Sequence, residues 1–153
     1  MTIRAITAND IPELLTLVEQ YWLFEELPGF EPTAVAKQLQ RLCGDPRLGA
    51  GWIAHAGQKP AGYLLAVHVF SLEQLGLTAE IDEFFVLPSC RGQGLGAGLL
   101  QAAEAEFLRA GCTNVSLQIG RGNEAAREFY RRNGYSDRAG FKLLDKVLPR
   151  GDP

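Results

Sequence analysis

Long hydrophobic runs are missing from this chain. No stretch approaches the roughly 18 consecutive apolar residues of a membrane-spanning helix, which excludes a spanning protein of that kind. Cysteine is scarce: Cys43, Cys90 and Cys112 are odd in number and lack metal-type spacing, so reduced thiols in a cytoplasmic protein are expected. The two histidines, His55 and His68, have no second ligand at helical or hairpin spacing, and no metal is expected. The opening Met1-Thr2-Ile3-Arg4 lacks the apolar block of a signal peptide. Basic residues are not interleaved with stacking aromatics, so nucleic acid is not an expected partner. What is present is 153 residues, 46% apolar and 22% charged, which predicts one domain over 1–153 with a two- or three-layer core.

Lysine and arginine are also absent from residues 5–36, which hold six carboxylates: Asp10, Glu13, Glu19, Glu25, Glu26 and Glu31. Glu80, Asp82 and Glu83 add three more. Residues 91–138 instead carry Arg91, Arg109, Arg121, Arg127, Arg131, Arg132 and Arg138. A net charge of −3 conceals this split. One part of the chain suits anionic phosphates and the other a cationic acceptor, although solvated helix faces also account for part of the acidic segment.

The most informative run is Val86-Leu87-Pro88-Ser89-Cys90-Arg91-Gly92-Gln93-Gly94-Leu95-Gly96. An apolar strand breaks at a proline; a basic residue and alternating glycines follow, then an amphipathic helix over about 97–110. Glycines at every second position let backbone N–H groups turn around an oxyanion, and a helix N-terminus adds its own unpaired N–H groups. This predicts a pyrophosphate cradle. A P-loop is excluded because Ala97 and Gly98 follow Gly96 instead of Lys-Ser or Lys-Thr. A dinucleotide fingerprint lacks its acidic residue about 20 positions onward, where residues 112–117 read Cys-Thr-Asn-Val-Ser-Leu.

Gly111 suits a stop for the helix after the glycine loop, and a second block follows a short predicted strand over 115–119. In Gly122-Asn123-Glu124-Ala125-Ala126-Arg127-Glu128-Phe129-Tyr130-Arg131-Arg132-Asn133-Gly134-Tyr135, Asn123 suits an N-cap and Gly134 a helix stop. With Val86-x-Pro88-x-x-Arg91-Gly92-x-Gly94-x-Gly96 and Asn123-x-x-Ala126-x-x-Phe129-Tyr130-x-x-x-Gly134-Tyr135 in this order, the sequence resembles the GNAT superfamily of acetyl-CoA-dependent N-acetyltransferases. The weaker resemblance covers residues 3–148. It implies an α/β (mixed α+β) fold: a mixed, mostly antiparallel central sheet flanked by helices, in the order β-α-α-β-β-β-α-β-α-β. Apolar patterning and turn residues along the chain place strands over 3–6, 52–56, 62–70, 79–86, 115–119 and 141–147, with a loop over 71–78. A helix capped by Asn9 or Asp10 and another over 32–42 fall between the first two strands.

The resemblance also implies a reaction, with acetyl-CoA as co-substrate and a primary amine attacking it directly in a ternary complex. An alkyl amine with a pKa of ~10.4 is protonated at neutral pH and needs a base. Strand alternation puts Ile81, Glu83 and Phe85 on one face and Glu80, Asp82, Phe84 and Val86 on the other. Relatives carry a carboxylate on the strand before the glycine loop, which points first to Glu83 and second to Asp82. The run Asp82-Glu83-Phe84-Phe85-Val86 resembles the Glu-Asp-Phe-Phe-Val of polyamine acetyltransferases, with the two acidic types exchanged. Tyr130 is the expected acid for the leaving thiolate, a core aromatic beside Phe129 being the alternative. Main-chain groups of Phe84, Phe85 and Val86 are expected along the pantetheine arm, and Asn123 beside it. Gly92, Gln93, Gly94, Leu95, Gly96 and Ala97 are expected at the diphosphate, with charge from Arg91. Glu25 and Glu26 are candidate acceptor-selectivity residues. A small cationic amine leads among acceptors; protein N-termini, lysine side chains, amino acids and aminoglycosides stay open, as do a catalytically silent acetyl-CoA sensor and, third, a structural or interaction module. Dimerisation is expected only because relatives commonly dimerise.

Overall fold

The computed structural model describes residues 1–150. Its strands are β1 (Thr2–Ala5), β2 (Gly49–Ala56), β3 (Lys59–Ser71), β4 (Gly76–Val86) and β5 (Val115–Leu117). They form one sheet in the order β1-β2-β3-β4-β5. All pairings are antiparallel except β4 with β5, where a crossover returns the chain in parallel. That crossover is helix α3 (Leu95–Arg109); α1 (Ile11–Phe24) and α2 (Pro32–Gly44) lie between β1 and β2, and α4 (Glu124–Arg132) follows β5. Packing divides the chain into two compact units: Met1–Gln118, with the sheet, α1, α2 and α3, and a second from Ile119 onward, with α4. Among the described residues no helix is long and apolar enough to cross a membrane.

The apolar spacing of the helices explains how the first unit closes. Leu14, Leu17 and Val18 recur at helical spacing on α1 and bury against Ile53, Tyr63, Leu65 and Phe85 of the sheet, with Leu39 of α2 completing the cluster. Leu95, Leu99, Leu100, Ala103 and Phe107 of α3 form a second buried stripe, where Phe107 meets Trp52 edge-on at 5.7 Å. The sheet is thus covered by α1 and α2 in one cluster and by α3 in another, a three-layer core. Gly98 lets α3 approach β1 closely, because a Cβ there would lie 2.4 Å from Ile3 Cδ1.

Local chemistry sets the helix ends. Glu31 caps α2 by accepting from the N–H groups of Thr33 (3.0 Å) and Ala34 (2.7 Å), with Pro32 at the first helical position. Three helices end in the same six-residue turn, in which two N–H groups reach back to the last helical turn. In α3 the left-handed residue is Gly111, and in α4 it is Gly134. In α1 it is Glu26, at φ 55°, with Leu27 N–H bonded to Trp22 O (2.8 Å) and Glu26 N–H to Leu23 O (3.2 Å).

Four sequence expectations change. Residues 141–147 form no strand: Phe141, Leu143, Leu144 and Val147 are exposed, and no ladder receives them. The adjacent Leu143 and Leu144 break the alternation that a one-sided strand needs. Asp10 does not cap α1 with its side chain; its carboxylate turns back to Arg4 at 2.8 and 2.7 Å and to Thr7 N at 2.7 Å. The loop expected over 71–78 shrinks to a turn, because the β3–β4 ladder runs out to Ser71↔Gly76. Finally, β4 does not alternate strictly. Its register passes from Leu65↔Glu83 to Ala66↔Ile81, leaving Asp82 as the extra residue of a bulge.

Candidate active site on the central strand

β4 is paired on both sides only for part of its length. Ala79, Glu80 and Ile81 pair with β5, and that pairing stops at Ile81↔Leu117. Beyond it, among the described residues, β4 has a strand partner only in β3 as far as Val86. The bulge at Asp82 coincides with this opening. Cross-strand partners share a face, so Ile81 follows Ala66 while Glu83 follows Leu65 to the opposite side. A strict two-residue period would have put Ile81 and Glu83 together.

The bulge turns Glu83 toward α1. Trp22 Nε1 donates to Glu83 Oε2 at 2.8 Å, and the Tyr63 hydroxyl donates to Glu83 Oε1 at 3.0 Å. Burial raises the Glu83 carboxyl above the ordinary carboxylate range; the two donors pull it partly back, and the Asp82 charge pushes it up again. Asp82 reaches the surface, and the surrounding protein raises its carboxyl also. Burial pushes the Tyr21 hydroxyl up to about 12, with smaller contributions from the charges of Glu25, Glu83 and Asp82. Tyr63 is raised much further, first by burial and then by the Glu83 charge. A half-buried carboxylate whose proton affinity is raised, among hydroxyls that stay protonated, is a candidate proton acceptor.

Aromatic rings surround this carboxylate. Tyr21 stands edge-on to Tyr63 at 6.3 Å and tilted to Phe85 at 5.9 Å; Trp22 meets Phe30 at 5.7 Å. Phe24 lies 6.0 Å from Phe85. The Arg91 guanidinium sits over the rings of Phe24 (5.0 Å) and Phe85 (5.8 Å), while its Nε donates to Val86 O at 3.0 Å. Arg91 is thus tied to the end of β4 and to α1.

After the short 3-10 turn Pro88–Cys90, Gly92 (φ 75°) and Gly94 (φ 83°) both adopt left-handed backbone. Nothing lies within 4 Å of a Cβ built on either, so the loop is open. Gly94 is the N-cap of α3 and provides no side-chain acceptor. The first α3 bond to the cap runs from Gly98 N to Gly94 O, leaving the amides of Leu95, Gly96 and Ala97 ahead of it. Gln93 Nε2 reaches Ser89 O at 3.4 Å. These groups suit a diphosphate: left-handed glycines without obstruction, then a helix start without a cap.

In the second unit, Asn123 Oδ1 accepts from Ala126 N at 3.1 Å and caps α4. Tyr130 lies edge-on to Phe129 (5.3 Å) and Tyr135 (5.5 Å). Glu25 is the C-cap of α1, and Glu26 is exposed beside it. Sequence reasoning missed Trp22 and Tyr63 as partners of Glu83. Their separations of 61 and 20 residues leave no local pattern to read.

The fold and this strand-loop-helix site define an acyl-transfer class of protein. The Acetyltransferase (GNAT) family model matches residues 12–135, and the chain belongs to that family. An "Uncharacterized N-acetyltransferase MJ1207" of Methanocaldococcus jannaschii is 28% identical over 156 residues; the match covers 97% of this chain and 66% of that relative. The human "Spermidine/spermine N(1)-acetyltransferase-like protein 1" is 26% identical over 141 residues, covering 88% of this chain and 20% of the relative. The solved integron cassette protein HFX_CASS3, from the mobile metagenome of Cole Harbour Salt Marsh, superposes with a TM-score of 0.85. It is 28% identical, over 97% of this chain and 91% of that one.

Proposed function

We propose that this protein moves an acetyl group from acetyl-CoA to the primary amine of a small cationic acceptor by direct attack. Glu83 acts as the base. The observation that carries this reading is the Glu83 carboxylate, half-buried at the β4 bulge with a donor on each oxygen. Asp82 is the second carboxylate within reach of the same chemistry. The ammonium gives a proton to Glu83; the freed nitrogen lone pair attacks the thioester carbonyl carbon, the C–S bond breaks, the thiolate takes a proton from Tyr130, and the second proton lost from the acylated nitrogen restores the Tyr130 hydroxyl. An N–H of the open stretch of β4 serves the developing oxyanion.

Phe84, Phe85 and Val86 offer their main chain to the pantetheine arm as an added strand. Gly92, Gln93, Gly94, Leu95, Gly96 and Ala97 take the diphosphate, with charge from Arg91. Asn123 contacts the arm in addition to capping α4. The rings about Glu83, together with Glu25 and Glu26, favour a cation. The family match crosses the boundary at residues 118/119, which supports one acetyltransferase domain over 1–153. The protein acts in the cytoplasm, as a homodimer.

Release of CoA thiol from acetyl-CoA over a panel of spermidine, aminoglycosides, amino acids and lysine peptides tests the reading. Spermidine-type amines are expected to lead; an enzyme that releases thiol with none of them is a sensor. Glu83→Gln should fall about a hundredfold or more in kcat. Tyr130→Phe should keep acetyl-CoA affinity by calorimetry and lose turnover; unchanged turnover removes Tyr130 from the reaction.

A further inference from the structure

Glu83 is reached by a side chain from another layer of the fold. Trp22 lies in the last turn of α1, and its indole N–H donates to Glu83 Oε2 at 2.8 Å across a separation of 61 residues. Two constraints fix that indole. The Trp22 main-chain carbonyl accepts the Leu27 N–H in the turn that ends α1, so the backbone bearing the indole is closed by the left-handed Glu26. Its ring packs edge-on against Phe30, beyond that turn. Tyr63, fully buried, takes the other carboxylate oxygen at 3.0 Å. Neither donor can be replaced by water without moving an aromatic ring.

We propose that Trp22 is a positioning residue for acetyl transfer: clamped by the α1 end and Phe30, it holds the Glu83 carboxylate in one orientation, opposite Tyr63, and sets the pH at which the base works. The proposal rests on Glu83 being the base. An indole N–H is a donor only, so it favours the ionised carboxylate that must receive the acceptor's proton. Burial acts against that form, and the Trp22 and Tyr63 bonds oppose burial. Removing the N–H therefore makes Glu83 hold its proton to a higher pH. Asp82 adds to the same upward push; Tyr63 donates to the same carboxylate, and Tyr21, which feels the charges of Glu25, Glu83 and Asp82, stands edge-on to Tyr63. The arrangement also makes the acceptor-side segment 25–30 part of the base's support, since its turn and Phe30 hold the indole.

The test uses Trp22→Phe, which retains a ring against Phe30 and loses the N–H. Profiles of kcat/KM against pH are taken with acetyl-CoA and the panel amine giving most thiol release. The acid limb should move up by about one pH unit, so the loss relative to the native chain is about tenfold on the acid side of the native limb and shrinks as pH rises past it. A second measurement needs no turnover: the Trp22 indole N–H resonance should titrate with pH in the native chain and stop titrating in Glu83→Gln, with Trp52 as internal control. A loss equal at every pH, or an indole blind to Glu83, overturns the proposal and leaves the base reading intact. An indole that titrates with Glu83 beside a kcat/KM limb that follows neither overturns it through its premise, the base role itself.

Discussion

Asp10 and Glu83 are both carboxylates withdrawn from water, and their surroundings push them in opposite directions. Asp10 is 6% exposed, and its ion-paired hydrogen bonds to Arg4, helped by Thr7, outweigh burial and hold it well below the usual range. Its contribution to stability is present above its unfolded pKa of ~3.9 and is lost as pH falls through the lower folded value. Asp10→Asn should cost about 1–2 kcal/mol in urea titrations at pH 7, the half-exposed Arg4 limiting the figure. The gap to the native chain should narrow as the pH is lowered toward 2. For Glu83 burial wins, so the sign reverses: its favourable contribution exists below ~4.3 and disappears as pH rises through the raised folded value. Glu83→Gln can keep both bonds, its oxygen facing Trp22 and its NH2 facing the Tyr63 oxygen. The variant should therefore melt at or above the native temperature at pH 7 while losing turnover. A lowered melting point would mean that the two donors need the charge.

At the scale of elements, the three matching helix ends allow a clean comparison. α3 and α4 put glycine in the left-handed position, whereas α1 puts Glu26 there, next to the segment carrying Trp22 and Glu25. A side chain in that conformation costs about 1 kcal/mol relative to glycine. Glu26→Gly should accordingly hold or raise the melting temperature. If Glu26 also attracts the acceptor, the same variant should raise KM for cationic amines with kcat unchanged. The glycine loop makes the converse case. Gly94→Glu keeps open space around its Cβ, so the chain should fold with a cost of about 1–2 kcal/mol, yet the added carboxylate should abolish acetyl-CoA binding in a calorimetric titration. Retained binding would remove the loop from the cofactor site. The segment over 141–147 shows the limit of element-level reading: β-prone residues make no strand without a ladder to join.

At the scale of the whole molecule, charge is sorted along the chain. No lysine or arginine falls within residues 5–36, while seven arginines lie within 91–138. If this sorting draws a cation to the Glu83 side, KM for a polyamine should rise with ionic strength, and that for a neutral-tailed monoamine should rise less. Equal salt responses would assign the acidic residues to ordinary solvated surface. The glycine loop, the α3 and α4 stops and the strands around Glu83 were readable from the chain, because each depends on residues within about a dozen positions, and the family was readable from two such local blocks in their order. Helix α4 illustrates this: Asn123 caps it and Gly134 closes it as its local chemistry requires.

By itself, then, the sequence determined the order of elements as far as α4, the placement of the unobstructed glycines after β4, and membership of an acetyltransferase family. Tertiary structure alone decided that β4 bulges at Asp82, that its β5 edge ends at Ile81, and that Glu83 faces α1 between Trp22 and Tyr63. The reason is physical. Caps, turns and amphipathic stripes are settled by near neighbours, whereas a bulge and the partners of a buried carboxylate exist only once distant strands and helices have packed.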